Sequence, residues 1–251
     1  MTTKLFPATD YQKKDDYYWQ EIEALGLSAE QILKDFPAYA RRRDIATFLA
    51  HYELFKHVID LPGCVAEFGV FNGASLFTWA ALMETFCPGD RTRKIFGFDW
   101  FKGLEDFHEK DGKKMKAGDK QQGAYSSEEA RLDKLTELHN LDGFLPNIDR
   151  VSLVKGDVRE SVPQFLEDNP GVRFSLAYLD MDLYDPTKSV LNDIYDRVVQ
   201  GGVIAFDEYG LMPWEGESRA VEEFFDELGI KMPRLQKMPF STRPHGYFIK
   251  E

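Results

Sequence analysis

Two acidic clusters each close an apolar, strand-like stretch. One is Tyr178-Leu179-Asp180-Met181-Asp182-Leu183-Tyr184-Asp185, the other Ile204-Ala205-Phe206-Asp207-Glu208. Their carboxylates converge on what should be one edge of a sheet. Carboxylates crowded together repel, so such an arrangement is unfavourable unless a cation or a proton compensates. A hard, oxygen-preferring divalent metal is the simplest compensation. A second run, Ala66-Glu67-Phe68-Gly69-Val70-Phe71-Asn72-Gly73-Ala74-Ser75, reads as a strand breaking into a glycine-containing loop and then a helix. Together the two features suggest a nucleotide-like cofactor beside a metal-assisted site.

The elements around these residues alternate. Strands are expected at 64–68, 94–98, 151–154, 174–179 and 203–206, with helices at 74–86, 161–167 and 187–199 between them. That order predicts an α/β, doubly wound, mostly parallel sheet covered by helices on both faces. Ligands of such sheets bind beyond the carboxyl ends of the strands. Glu67, Asp99, Asp157, Asp180 and Asp207 all fall at those ends. The tail differs: an amphipathic helix over 219–228 and two short strands, 234–238 and 247–250, read as an antiparallel hairpin. Residues 1–60 read as a helical N-terminal cap and 61–251 as the ligand-binding domain. In the cap, Ser28 and Gln31 resemble a capping box, and a long helix is expected over 41–59. The polar stretch 103–147 reads as an unstructured insertion, a mobile lid that orders over the ligand.

Composition narrows the classes. The 251 residues are 43% hydrophobic and carry a net charge of −12, with no long basic run, which disfavours a nucleic-acid partner. No apolar run is long enough to span a bilayer, so no membrane partner is expected. Met1 to Pro7 lack the apolar stretch of a secretory leader. Cys64 and Cys87 form no C-x-x-C pair, so the setting reads as reducing and cytoplasmic.

Gly69 lets the chain turn after the strand and Gly73 lets backbone approach a ligand. Asn72 or Gly73 opens the next helix, whose amides favour an anionic group. The spacing is not Gly-x-Gly-x-x-Gly, and no pyrophosphate cradle is evident, which disfavours a dinucleotide. Asp99 ends the next strand, where an acid can accept hydrogen bonds from both ribose hydroxyls of an adenosine. Trp100 and Phe101 either stack on the adenine or pack under the lid.

Four motifs in order, Glu67 to Ser75, Phe98-Asp99-Trp100-Phe101-Lys102-Gly103-Leu104, Gly156-Asp157-Val158-Arg159-Glu160-Ser161 and Asp180 to Asp185, resemble the macrocin O-methyltransferase (TylF-like) family. The resemblance implies a class I methyltransferase that uses S-adenosylmethionine to methylate sugar hydroxyls of natural products. It places Glu67 and Gly69 at the methionine end of the cofactor and Ser75 on its carboxylate, with Val70 and Asn72 also against the cofactor. Asp99 takes the ribose, Asp157 and Val158 flank the adenine, and Ser126 closes from the lid. Asp180 also borders the cofactor. A divalent metal, usually Mg2+, is implied at Asp180, Asp207 and Glu208, with Asp182 as general base. One departure is Glu208, where the family commonly has Asp.

The residues suit that chemistry. A sugar hydroxyl is a poor nucleophile near neutral pH and needs a base, a metal or both. In an extended segment, Asp180 and Asp182 would share one side, so one can bind metal while the other takes the proton. Asp185, before Pro186-Thr187, reads as a helix cap. His51, His57 and His108 carry no ligand spacing. Arg41-Arg42-Arg43 reads as a solvated helix face. The acceptor is a small sugar-bearing molecule, and a homo-oligomer fits the apolar N-terminal helix. Rival readings are catechol-type O-methylation and a non-catalytic adenosine-ligand binding protein.

Overall fold

The structure, a computed structural model, describes residues 8–112 and 120–251. Met1 to Pro7 and part of the 103–147 insertion, including Lys113 and Lys114, lie outside the described residues. The chain forms two units, Met1–Ile45 and Ala46–Glu251. The first contains α1 (Ala8–Ala24), α2 (Ala29–Lys34) and α3 (Phe36–Tyr39). The expected capping box opens α2: the Gln31 amide donates to Ser28 Oγ (3.3 Å) and the Ser28 amide to Gln31 Oε1 (2.9 Å). The Tyr18 hydroxyl donates to the Tyr39 carbonyl.

The division falls well before residue 60 because of α4 (Arg42–Lys56). The boundary lies within α4, and Ala50, His51, Leu54 and Phe55, on its part in the larger unit, are buried there. The sheet of the larger unit contains β1 (Cys64–Phe68), β2 (Ile95–Asp99), β3 (Val151–Lys155), β4 (Phe174–Leu179), β5 (Val198–Phe206) and β6 (Gly246–Ile249). Their order is β3-β2-β1-β4-β5-β6. The first five strands are parallel, and β6 runs antiparallel to β5.

Alternation along the strands feeds two cores. Leu176 and Tyr178 of β4 face α4 and α5 (Ala74–Phe86), while Ala177 and Leu179 face α7 (Val158–Asp168), α8 (Tyr184–Ile194) and α9 (Glu215–Leu228). Burial on both faces explains why these strands read as apolar runs.

Three expectations need correction. The helix expected over 187–199 starts at Tyr184 and stops at Ile194; after one 3-10 turn, Val198 pairs with Phe174 in the sheet. The tail hairpin reduces to a single bridge, Gln236 to Tyr247, because β6 finds its ladder on β5 instead. The insertion is not structureless: it holds α6 (Glu129–Leu141) and a 3-10 turn at Glu109–Asp111. Asp111 in that turn accepts the Tyr184 amide (2.7 Å) and so caps α8 from a distant part of the chain. Asp185 sits inside the first turn and is not the cap. No described helix is long and apolar enough to cross a membrane.

His51 illustrates the density of the core. It lies edge-on to Trp79 and Tyr178, with ring centroids 4.6 and 5.2 Å away. Burial lowers its pKa from the ordinary 6.5 to about 4, against the upward pull of Asp207. Between those values the unfolded chain binds a proton that the folded chain excludes. Stability from this group is therefore complete above about pH 6.5 and falls as the pH drops toward 4. His51→Leu is expected to remove roughly 3 kcal/mol of pH dependence across that interval. Urea unfolding of both proteins at pH 4.5 and 7 measures it; parallel losses in wild type and variant would contradict the assignment.

Candidate active site

Strand register brings the acids together. Phe68 pairs with Leu179 and Leu179 with Phe206, so the next residues, Gly69, Asp180 and Asp207, come level at the strand ends. The Asp180 amide donates to the Phe68 carbonyl (2.8 Å) and the Asp207 amide to that of Leu179 (3.0 Å). Strand order reverses between β1 and β4, which opens a crevice there.

Asp180, Asp207 and Glu208 each bring a carboxylate oxygen within 4.8 Å of the others. Burial first, and repulsion from Asp207 second, push the Asp180 and Glu208 carboxyls well above the usual range. The Tyr178 hydroxyl donates to Asp207 Oδ1. Asp207 Oδ2 and both Glu208 oxygens are buried without a hydrogen-bond partner. Such orphaned, all-oxygen donors fit a hard divalent cation. Arg243 Nη1 lies 2.9 Å from Asp207 Oδ2 and Nη2 lies 3.4 Å from Glu208 Oε1. Behind the cluster, buried Glu217 accepts the Glu208 amide at 3.0 Å.

Asp182 does not lie in an extended segment. Its φ is 62°, and the Leu183 amide donates back to the Met181 carbonyl (2.6 Å). A turn, rather than strand alternation, sets its side chain beside the cluster. A left-handed residue other than glycine at such a place points to function.

A cleft runs along these strand ends, where open α/β sheets take their ligands. Of the expected residues, Gly69, Asp99, Trp100, Asp157, Val158, Asp180 and Asp182 line it. Asp99 is spent largely on the loop. Its Oδ2 accepts the amides of Val70 and Phe71 (both 2.8 Å), and its Oδ1 accepts that of Phe101 (2.6 Å). Asp157 caps α7 and faces the Arg159 guanidinium, with Nε 2.9 Å from Oδ2.

Other expected residues stand elsewhere. Glu67 is fully buried, with Ser75 Oγ on one oxygen and Trp79 Nε1 on the other (2.7 Å each). Burial raises its pKa to about 8 despite those two donors. Ser75 is thereby turned toward Glu67 rather than toward the cleft. Val70 and Phe101 pack into the core because their amides, not their side chains, serve Asp99. Asn72 is exposed and accepts from Arg131. Ser126 is exposed, and Tyr125 lines the cleft in its place, edge-on to Phe71.

A parallel sheet of this order, a reversed last strand and acid-ended strands around a crevice at the switch point define a class I S-adenosylmethionine-dependent methyltransferase fold. Residues 49–238 match the macrocin-O-methyltransferase (TylF) family, and the chain belongs to it. CalS11, the calicheamicin methyltransferase, has a similar structure, with a TM-score of 0.81 and 32% identity over 94% of this chain and 92% of its own. Its apo structure, described as a TDP-rhamnose 3'-O-methyltransferase, gives 0.78 and 30% over 99% of both. The 8-demethyl-8-(2,3-dimethoxy-alpha-L-rhamnosyl)-tetracenomycin-C 4'-O-methyltransferase of Streptomyces olivaceus is 26% identical over 69% of this chain, which spans 62% of that relative's length. The demethyldecarbamoylnovobiocin O-methyltransferase of Streptomyces niveus is 26% identical over 87% of this chain and 80% of its own.

Sequence reasoning passed over Arg243, Glu217, Tyr125 and Arg159. Glu217 carried a signal: it lies one turn before Ala220 and Val221 and two before Phe224 on the apolar face of α9. Arg243 carried none, because only the path of the tail brings it to β5.

Gly69 has no substitute at this junction. Its φ is 91°, and a Cβ there would overlap the Asp180 carbonyl oxygen. Gly69→Ala is expected to destabilise the fold by on the order of 2–4 kcal/mol, read as a lower urea midpoint. A midpoint matching wild type would mean that loop and β4 part freely.

Proposed function

We propose that this chain transfers the methyl group of S-adenosylmethionine to a hydroxyl of a sugar on a natural-product scaffold, assisted by a divalent metal. One observation carries the metal-assisted reading: Asp180, Asp207 and Glu208 converge, three of their oxygens lack donors, and Asp182 stands beside them at the cleft. The sugar acceptor follows from family membership and from the names of the relatives, CalS11 above all.

In this reading the donor lies along the strand ends, from Gly69 past Asp99 to Val158. Asp99 fixes the loop after β1 and borders the cleft where the ribose would lie. The insertion walls the cleft through Leu104 and Tyr125, which pack with Leu183 and Trp214. Methyl transfer is an in-line displacement: the acceptor oxygen bonds to the methyl carbon as the carbon–sulfur bond breaks, leaving a neutral thioether. Holding the oxygen, carbon and sulfur in line supplies much of the acceleration. The hydroxyl proton passes to the Asp182 carboxylate. Asp180, Asp207 and Glu208 would hold the metal, which, when bound, lowers the pKa of the acceptor hydroxyl and fixes its direction.

Asp182→Asn keeps a residue that tolerates the left-handed backbone but removes the base. It should lower kcat by roughly 10²–10⁴ while S-adenosylhomocysteine still binds. Near-normal turnover would rule out Asp182 as the base.

Calorimetric titration of S-adenosylhomocysteine should show binding that Asp99→Ala weakens by about ten- to a hundredfold. Turnover should stop in EDTA and return with Mg2+. The cofactor reading fails if wild type does not bind; the metal reading fails if turnover persists in EDTA.

A further inference from the structure

Arg243 belongs to the C-terminal tail. It comes from the loop between the Gln236 bridge and β6, and that loop is fastened to the end of β5. The His245 amide lies 3.0 Å from the Phe206 carbonyl and 3.1 Å from that of Asp207. The Ser241 hydroxyl donates to the Arg243 carbonyl (2.6 Å) and accepts the Arg243 amide (3.2 Å). The backbone of Arg243 is therefore pinned beside the acids, while its side chain is 43% exposed and lines the cleft.

The guanidinium supplies charge to the cluster but little hydrogen bonding. An arginine fork usually gives one carboxylate two parallel, aligned bonds. Here one nitrogen faces Asp207 at 2.9 Å and the other faces Glu208 at 3.4 Å. Neither contact is aligned, and Asp207 Oδ2 and Glu208 Oε1 remain without a donor. Burial works against the charge of Arg243, yet Asp207, Glu208 and Asp180 outweigh it and hold the group protonated. A small spherical cation needs no such alignment and would satisfy the same oxygens from any direction.

We propose that Arg243 is the resident counter-cation of the acid cluster and that it competes with the divalent metal, leaving by a side-chain swing into the cleft when the metal enters. The inference rests on the metal reading above. Its consequence is twofold: Arg243 stabilises the metal-free fold, and it lowers metal affinity by the work of its displacement.

Mn2+ titration followed by electron paramagnetic resonance, without cofactor, tests it on wild type and Arg243→Met. The variant should bind Mn2+ on the order of tenfold more tightly, at one site. In EDTA it should melt below wild type, and saturating Mn2+ should close the gap. Equal or weaker Mn2+ binding by the variant, with wild type binding, overturns the competition alone. No Mn2+ binding by either protein overturns the metal reading as well. A measurement on wild type guards against a variant that fails to fold: the Arg243 Nε–H resonance, assigned with Arg243→Lys, should shift as Mg2+ is added. A resonance unmoved at Mg2+ saturation also overturns the proposal.

Discussion

Like charges gathered in a buried place need a counter-charge or a proton, and the neighbourhood of Asp180, Asp207 and Glu208 is organised around that need. The three acids meet because parallel strands keep register to their ends. Once Leu179 lies between Phe68 and Phe206, the residues that follow are level by construction. An acid after β4 and another after β5 then come within reach of one cation. Gathering buried acids in this way opposes folding unless their charge is compensated, which is why the proposed metal and Arg243 both matter to the cluster.

The same register demands glycine at position 69. Where β1 and β4 end side by side, the loop leaving β1 passes the Asp180 carbonyl without room for a Cβ. The loop beyond it is held by Asp99, whose carboxylate gathers amides from both sides of the cleft floor. An acid expected to meet ligand thus also preorganises the backbone that the ligand would meet. Both roles suit a carboxylate, which accepts several hydrogen bonds at once.

The legible parts of the sequence were those governed by local pattern. The β1, β4 and α5 boundaries follow from apolar runs and their punctuation, and the site acids follow from their places at strand ends. What stayed hidden depends on contacts between distant segments. Val198 and Val199 continue a helical pattern but join β5, where β-branched residues fit a pleated surface. Asp111 caps α8 from more than seventy residues away. Ser75 and Trp79, four apart on α5, both turn to Glu67, so the acid read as cofactor wall is instead sealed behind it. Arg243 reaches the acids only because β6 reverses onto β5.

Glu208, a longer acid than its neighbours Asp180 and Asp207, is understood through what stands behind it. Glu217 fixes its backbone by accepting its amide, and Tyr178 occupies the rear oxygen of Asp207. Both restraints act from inside the core, and neither uses the oxygens left without donors. Each proposed ligand is thereby restrained from its core side. With the backbone of Glu208 fixed, its extra methylene lengthens the reach of the carboxylate without loosening its root. Preorganisation of this kind removes much of the ordering that a cation would otherwise have to impose. It also makes Glu217, which touches no substrate, part of the reason the cluster has a definite shape.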